Sequence, residues 1–117
     1  MQLKMAKRTV DGIVAIQCSG RIVLGEESSM LRDEVKQTLQ DGAKRIVLNL
    51  GEVNYIDSSG LGTLVSLHTT AHNAGATIKL ANLTKRVGDL LQVTKLLTEF
   101  EVHPSEYEAL EAFRQAA

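Results

Sequence analysis

The sequence predicts an α/β domain in which a mixed, mostly parallel sheet of about five strands carries four helices packed against it. Three observations lead there. Strand-like and helix-like apolar patterns alternate along nearly the whole chain, the order that βαβ units leave in a sequence. Asp11-Gly12 sits between short apolar runs, a strong turn signal that adds one antiparallel hairpin at the start. Ile46 to Leu50 is almost continuously apolar between Lys44-Arg45 and Gly51, as suits a strand covered on both faces.

The elements follow in order. After the Thr9–Val14 hairpin, the second strand runs through Ile13 to Cys18 and stops near Ser19-Gly20. A loop from Arg21 to Gly25 leads to a helix over Glu26–Gln40, with Met30, Leu31, Val35 and Leu39 at helical spacing and Asp41-Gly42 as its stop. The buried strand at Ile46–Leu50 is followed by a helix over Ser58–Asn73. Its stripe is Leu61, Leu64, Val65, His68 and Ala71. Thr77–Ala81 alternates as a strand, and Thr84 caps a third helix bearing Val87, Leu90 and Leu91, which gives way to a loop at about Gln92 to Leu97. Glu99–Val102 reads as a brief last strand. Pro104-Ser105 opens a final helix with Tyr107, Leu110 and Phe113 on its apolar face.

At 117 residues the chain fits one domain, residues 1–117, and 44% hydrophobic content supports a core without metals or disulfides. Aromatic residues make up only 3%, so the core must come from aliphatic side chains. Net charge is −1 with scattered basic residues, which argues against direct nucleic-acid binding. The single cysteine, Cys18, reads as a small buried hydrophobe. The basic N-terminal stretch has no long apolar run after it, and no window approaches a membrane span. The expected setting is the cytoplasm, away from any membrane.

The chemistry concentrates in Asn49 to Gly62, which leaves a buried strand and enters a helix. In open α/β folds that junction is where ligand sites tend to lie. Asp57 or Ser58 can cap the helix, which puts Ser59 in its first turn, where free amides and the helix dipole favour added negative charge. Gly60 and Gly62 let another surface approach the backbone closely. A phosphate on Ser59 would add about −1.5 to −2 charges without unfolding the helix, beside Asp57 and not far from Glu52. From the residues alone, the plainer reading is a capped turn followed by flexible glycines.

Ile46-Val47-Leu48-Asn49-Leu50, then Val53, then Ile56-Asp57-Ser58-Ser59-Gly60-Leu61-Gly62 closely resemble the STAS domain of anti-sigma factor antagonists, or anti-anti-sigma factors. The order of elements resembles that family over almost the whole chain. The resemblance implies a STAS-like fold and a phosphoprotein that acts by partner switching in transcription regulation and signal transduction. It makes Ser59 the acceptor, supported by Asp57, Ser58, Gly60 and Gly62. An anti-sigma factor that is also a serine kinase would phosphorylate it, and a metal-dependent serine phosphatase, a transient partner, would restore it. The unmodified form would bind the anti-sigma factor and release a sigma factor; the phosphorylated form would not. ATP belongs to the kinase, so the resemblance implies no cofactor and no enzymatic role for this chain.

One departure concerns partner choice. The family often carries an acid in a Gly-x-hydrophobic-Asp pattern, whereas here Gly20-Arg21-Ile22 is followed by Val23, with acids only at Glu26 and Glu27. Ile22, Val23 and Leu24 form either a docking patch or a strand extension. The candidate partner surface comprises Val23, Leu24, Glu26, Leu61, Lys85 and Arg86. An alternative is a non-switching structural STAS subunit of a larger signalling or transporter assembly.

Other constellations are weaker. His68 and His72 lie four apart on the second helix, but Thr69 stands where the zinc-protease arrangement needs a glutamate, so partly exposed helix histidines are expected and no metal. Neither serine has a glycine two residues before it, as a hydrolase nucleophile elbow requires. Lys85-Arg86 alone reads as a solvated pair.

Overall fold

Asp11 and Gly12 both adopt positive φ, 52° and 76°, the backbone of a two-residue hairpin turn whose twist matches its strands. The turn joins β1 (Lys4–Val10) to β2 (Ile13–Ile22) in antiparallel register. The computed structural model describes residues 3–116, so Met1 and Gln2 of the basic N-terminal stretch lie outside it. The order continues α1 (Glu26–Gln40), β3 (Arg45–Ile56), α2 (Ser58–Asn73), β4 (Thr77–Ala81), α3 (Lys85–Val93), a short 3-10 turn (Leu97–Glu99), β5 (Glu101–His103) and α4 (Glu106–Gln115). The sheet order is β1-β2-β3-β4-β5, and every pairing after the hairpin is parallel.

Alternation along the central strands builds two cores. Ile46, Leu48 and Leu50 of β3 face the larger one with Ile16 and Cys18 of β2, under Leu31 and Val35 of α1, Leu64 and Leu67 of α2, and Val87 and Leu91 of α3. Val47, Ile13, Ala15 and Ala81 face the smaller one, under Ala109, Leu110 and Phe113 of α4. The unbroken apolar run of β3 is therefore explained: both of its faces are covered.

Both central strands are longer than their sequence pattern. β2 continues through Gly20 to Ile22, which is fully buried, so Ile22 belongs to the strand extension rather than to a docking patch. β3 does not end at Leu50 but runs to Ile56. Two register shifts against β2 lie between Gln17 and Ser19 and between Gly20 and Arg21. At each, β3 advances one residue more than its partner, so the core-facing position jumps from Leu50 to Val53 and then to Ile56. Gly51 sits inside the strand because a Cβ there would lie 2.1 Å from Nδ2 of Asn82. Glu52 pairs with Ser19. It therefore stands five residues of extended chain, about 16 Å, from Asp57 and is no close neighbour of the serines.

Two further expectations need correction. Glu99 belongs to the 3-10 turn, which moves the last strand to Glu101–His103. Tyr107 is 69% exposed; α4 buries Ala109, Leu110 and Phe113 instead, a face rotated away from the tyrosine.

Candidate functional site

The bulges of β3 deliver Asp57 to the point where β2 and β3 end and α1 and α2 begin. Of the two capping candidates, Asp57 takes the role, with extended backbone and Oδ1 accepting from the Gly60 amide at 2.8 Å. Its Oδ2 accepts from the Leu24 amide at 3.1 Å, and its own amide donates to the Ile22 carbonyl at 3.3 Å. One carboxylate thus ties the loop after β2 to the start of α2. The Gly60 amide, with smaller help from those of Leu24 and Ser59, holds the Asp57 carboxyl below the usual carboxylate range against a modest desolvation penalty.

Ser58, the first residue of α2, is exposed, and Ser59 is half-buried. Gly60 is buried, and a Cβ on it would stand 2.2 Å from the Ile22 carbonyl oxygen and 2.6 Å from Cγ1 of Ile56. Only a glycine lets α2 close on the ends of both strands. Gly62 is exposed, with nothing within 4 Å of where its Cβ would be, so the surface beside Ser59 is open.

The first turn differs from its sequence-based picture in one respect. Asp57 already engages that turn: the Gly60 amide donates to its carboxylate at 2.8 Å, and the Leu61 amide donates to its carbonyl at 3.0 Å. The positive end of the helix therefore already faces one negative charge before any phosphate arrives.

Two residues not foreseen from the sequence lie beside Ser59. Thr63 Oγ1 donates to the Ser59 carbonyl at 3.0 Å, and Arg32 Nη2 of α1 donates to Thr63 Oγ1 at 3.4 Å. Leu24, Ser28, Arg32, Ser59, Gly62 and Thr63 line a shared groove of about 360 Å³ between the starts of α1 and α2. The spacing of Ser59 and Thr63 on one helix was readable in advance; the approach of Arg32 is tertiary, and no local pattern signals it.

The candidate partner residues divide into separate groups. Val23 is half-buried, and its carbonyl accepts from the Ser28 amide at 3.1 Å and hydroxyl at 2.6 Å. Leu24 is 75% exposed and Glu26 is exposed, whereas the Glu27 side chain is only 13% exposed and lies 3.4 Å from Nε of Arg21. Of the two acids after Val23, then, Glu26 alone faces solvent. Leu61 is removed from the exposed surface: at 4% exposure it packs in the larger core, where its helical phase places it with Leu64.

Lys85 pairs with Asp89 at 2.7 Å, one turn along α3. Arg86 lies over the Tyr55 ring at 5.7 Å. With Ile56, Leu90 and the exposed Val93, they border a mostly apolar groove of about 720 Å³ on the other side of the Asp57 junction. Tyr55, 44% exposed, was missed because β3 was read as ending before it.

Among the described residues, no group of three or more His, Cys, Asp or Glu side chains is arranged to hold a metal. His68 is half-buried with its ring 5.4 Å from that of Phe100, and His72 is exposed. No helix among the described residues is long and apolar enough to cross a membrane.

The family model described as the STAS domain matches residues 4–109. BtrV of Bordetella bronchiseptica, named as a candidate anti-sigma factor antagonist, is 26% identical over 114 residues, covering 97% of each chain. A Thermotoga maritima crystal structure described in the same terms superposes with a TM-score of 0.86 at 24% identity, over 94% of each chain. The Bacillus cell fate determinant SpoIIAA in its phosphorylated form gives a TM-score of 0.73 at 19% identity, over 94% of this chain and 99% of that one. At those identities the structures establish the fold.

Proposed function

This chain belongs to the STAS domain family, and from that premise we propose that it is an anti-sigma factor antagonist switched by phosphorylation of Ser59. In its unmodified form it binds an anti-sigma factor that is also a serine kinase, and so releases a sigma factor in the cytoplasm. Phosphorylation ends that binding, and a metal-dependent serine phosphatase reverses it. The relatives named as anti-sigma factor antagonists support the class of partner.

The observation that carries the reading is the setting of Ser59. It stands in the first turn of a helix start locked by Asp57, next to the open surface at Gly62 and the 75% exposed Leu24. A kinase can reach such a hydroxyl without unfolding anything. Ser59 Oγ bonds to the γ-phosphorus of the ATP held by the kinase, the bond to the β–γ bridging oxygen breaks, and ADP leaves. The serine proton goes to a base of the kinase.

The electrostatics give the switch its sign. Asp57 is already anionic at neutral pH, and the phosphate adds about −1.5 to −2 charges beside it. A partner that packs on Leu24 and Gly62 would have to desolvate that charge, which costs several kcal/mol unless it is paired. The fold itself does not have to change.

Calorimetry with purified anti-sigma factor kinase tests the reading. Unmodified protein should bind, and the same protein carrying phosphoserine at position 59 should bind at least tenfold more weakly. Equal affinities would dismiss the switch and favour a purely structural role in a larger assembly.

A further inference from the structure

We infer that Arg32 is the intramolecular counter-charge for a phosphate on Ser59, drawing it into the groove between α1 and α2 instead of leaving it in solvent. The inference rests on the reading of Ser59 as an acceptor and adds how the modified state is held.

Three observations bring the pair together. Arg32 Nη2 lies 3.4 Å from Thr63 Oγ1, and Thr63 is four residues along α2 from Ser59, whose carbonyl its hydroxyl contacts at 3.0 Å. Residues four apart on a helix are stacked on one face, about 6 Å apart along the axis. An arginine side chain spans that distance by changing rotamer, and its planar fork suits phosphate oxygens.

Arg32 is also available. Among the described residues no carboxylate lies within ion-pair distance of it, whereas Arg21 and Lys85 each have one and Arg114 has two. Its only side-chain hydrogen bond among these residues is the long one to the uncharged Thr63 hydroxyl, an acceptor that an anionic phosphate would readily displace. Moreover, the helix start that would usually accommodate an anion already holds the Asp57 carboxylate through the Gly60 amide. A phosphate beside that carboxylate needs another source of positive charge. Arg32 lines the same 360 Å³ groove as Ser59, which has room for the group.

Binding there has a consequence for recognition. The clamped phosphate would take up part of the groove beside Leu24 and Gly62, so a partner would meet an altered as well as a charged surface.

The test places phosphoserine at position 59 genetically and follows its phosphorus resonance through a pH titration. The chain with native Arg32 should show a second phosphate pKa at least half a unit below that of free phosphoserine, about 6. Arg32→Gln should restore the free value or exceed it because of Asp57, and Arg32→Lys should fall between. Identical titrations for native and Arg32→Gln proteins, with unchanged thermal unfolding, would overturn the clamp. Because no kinase is used, that failure is separate from failure of the acceptor reading, which would appear as phosphate delivered by a kinase to a residue other than Ser59.

Discussion

The carboxylate of Asp57 holds the backbone amide of Leu24, 33 residues earlier in the chain, at 3.1 Å while its other oxygen caps α2 through Gly60 at 2.8 Å. The loop after β2 and the helix that begins at Ser58 are therefore one mechanical unit. Anything that loosens Asp57 loosens the exposed Leu24 as well.

Asp57→Ala should cost about 1 kcal/mol through loss of the cap, read by urea unfolding at neutral pH. The charge has its own signature. The folded-state carboxyl is held below its unfolded value, chiefly by the Gly60 amide. Its contribution is therefore complete above the unfolded pKa of about 4 and is lost as pH falls through the folded pKa. Asp57→Asn keeps a capping oxygen, so its stability deficit relative to wild type should shrink between pH 7 and about pH 3. A deficit that grows on acidification would contradict this account.

Gly60 and Gly62 should respond to alanine with opposite signs. At Gly60 the new methyl would meet the Ile22 carbonyl at 2.2 Å, and the forced shift should cost about 1–3 kcal/mol. At Gly62 nothing lies within 4 Å, so Gly62→Ala should gain up to about 1 kcal/mol from helix propensity. The same Gly62→Ala protein should bind its partner less well, because the open surface is filled. Urea midpoints for the two variants decide the first claim and calorimetry the second.

Much of this region was legible in the sequence. The bounds of α1 and α2 match the observed Glu26–Gln40 and Ser58–Asn73, because a 3.6-residue apolar period and a stop signal agree in both, with the Asp57 cap added at α2. The far half of β3 was not legible. Its two register shifts break the period of two, and Gly51, which reads as a stop, is an in-strand contact with Asn82. Tyr107 was misplaced for a related reason: apolar character alone does not say which side of a helix meets the core. Leu61, read on the apolar stripe of α2, does pack in the core, and that same burial takes it off the exposed surface. Arg32 lies 27 residues from Ser59 and shares a groove with it only because α1 packs on α2.

Leu24 and Leu61 separate surface from core. Leu24→Ala should change stability by less than about 0.5 kcal/mol while weakening partner binding, since its side chain is 75% exposed. Leu61→Ala should cost about 2–5 kcal/mol by opening a cavity, and any loss of binding should track the loss of folded protein. If Leu24→Ala binds with wild-type affinity, the loop after β2 is not part of the interface.

Cys18 is fully buried in the larger core, and burial pushes its thiol up to about 12. A thiol reagent at neutral pH should modify the native protein only as fast as it unfolds, and at once in denaturant. Rapid stoichiometric labelling of the native chain would contradict the β2 register.

The central claim is that Ser59 is the phosphate acceptor. Intact mass after incubation with ATP and a purified anti-sigma factor serine kinase tests it most directly. Wild type should gain the mass of one phosphoryl group, and Ser59→Ala should gain none while retaining Ser58 and the wild-type unfolding curve. Stoichiometric phosphorylation of Ser59→Ala would contradict the account.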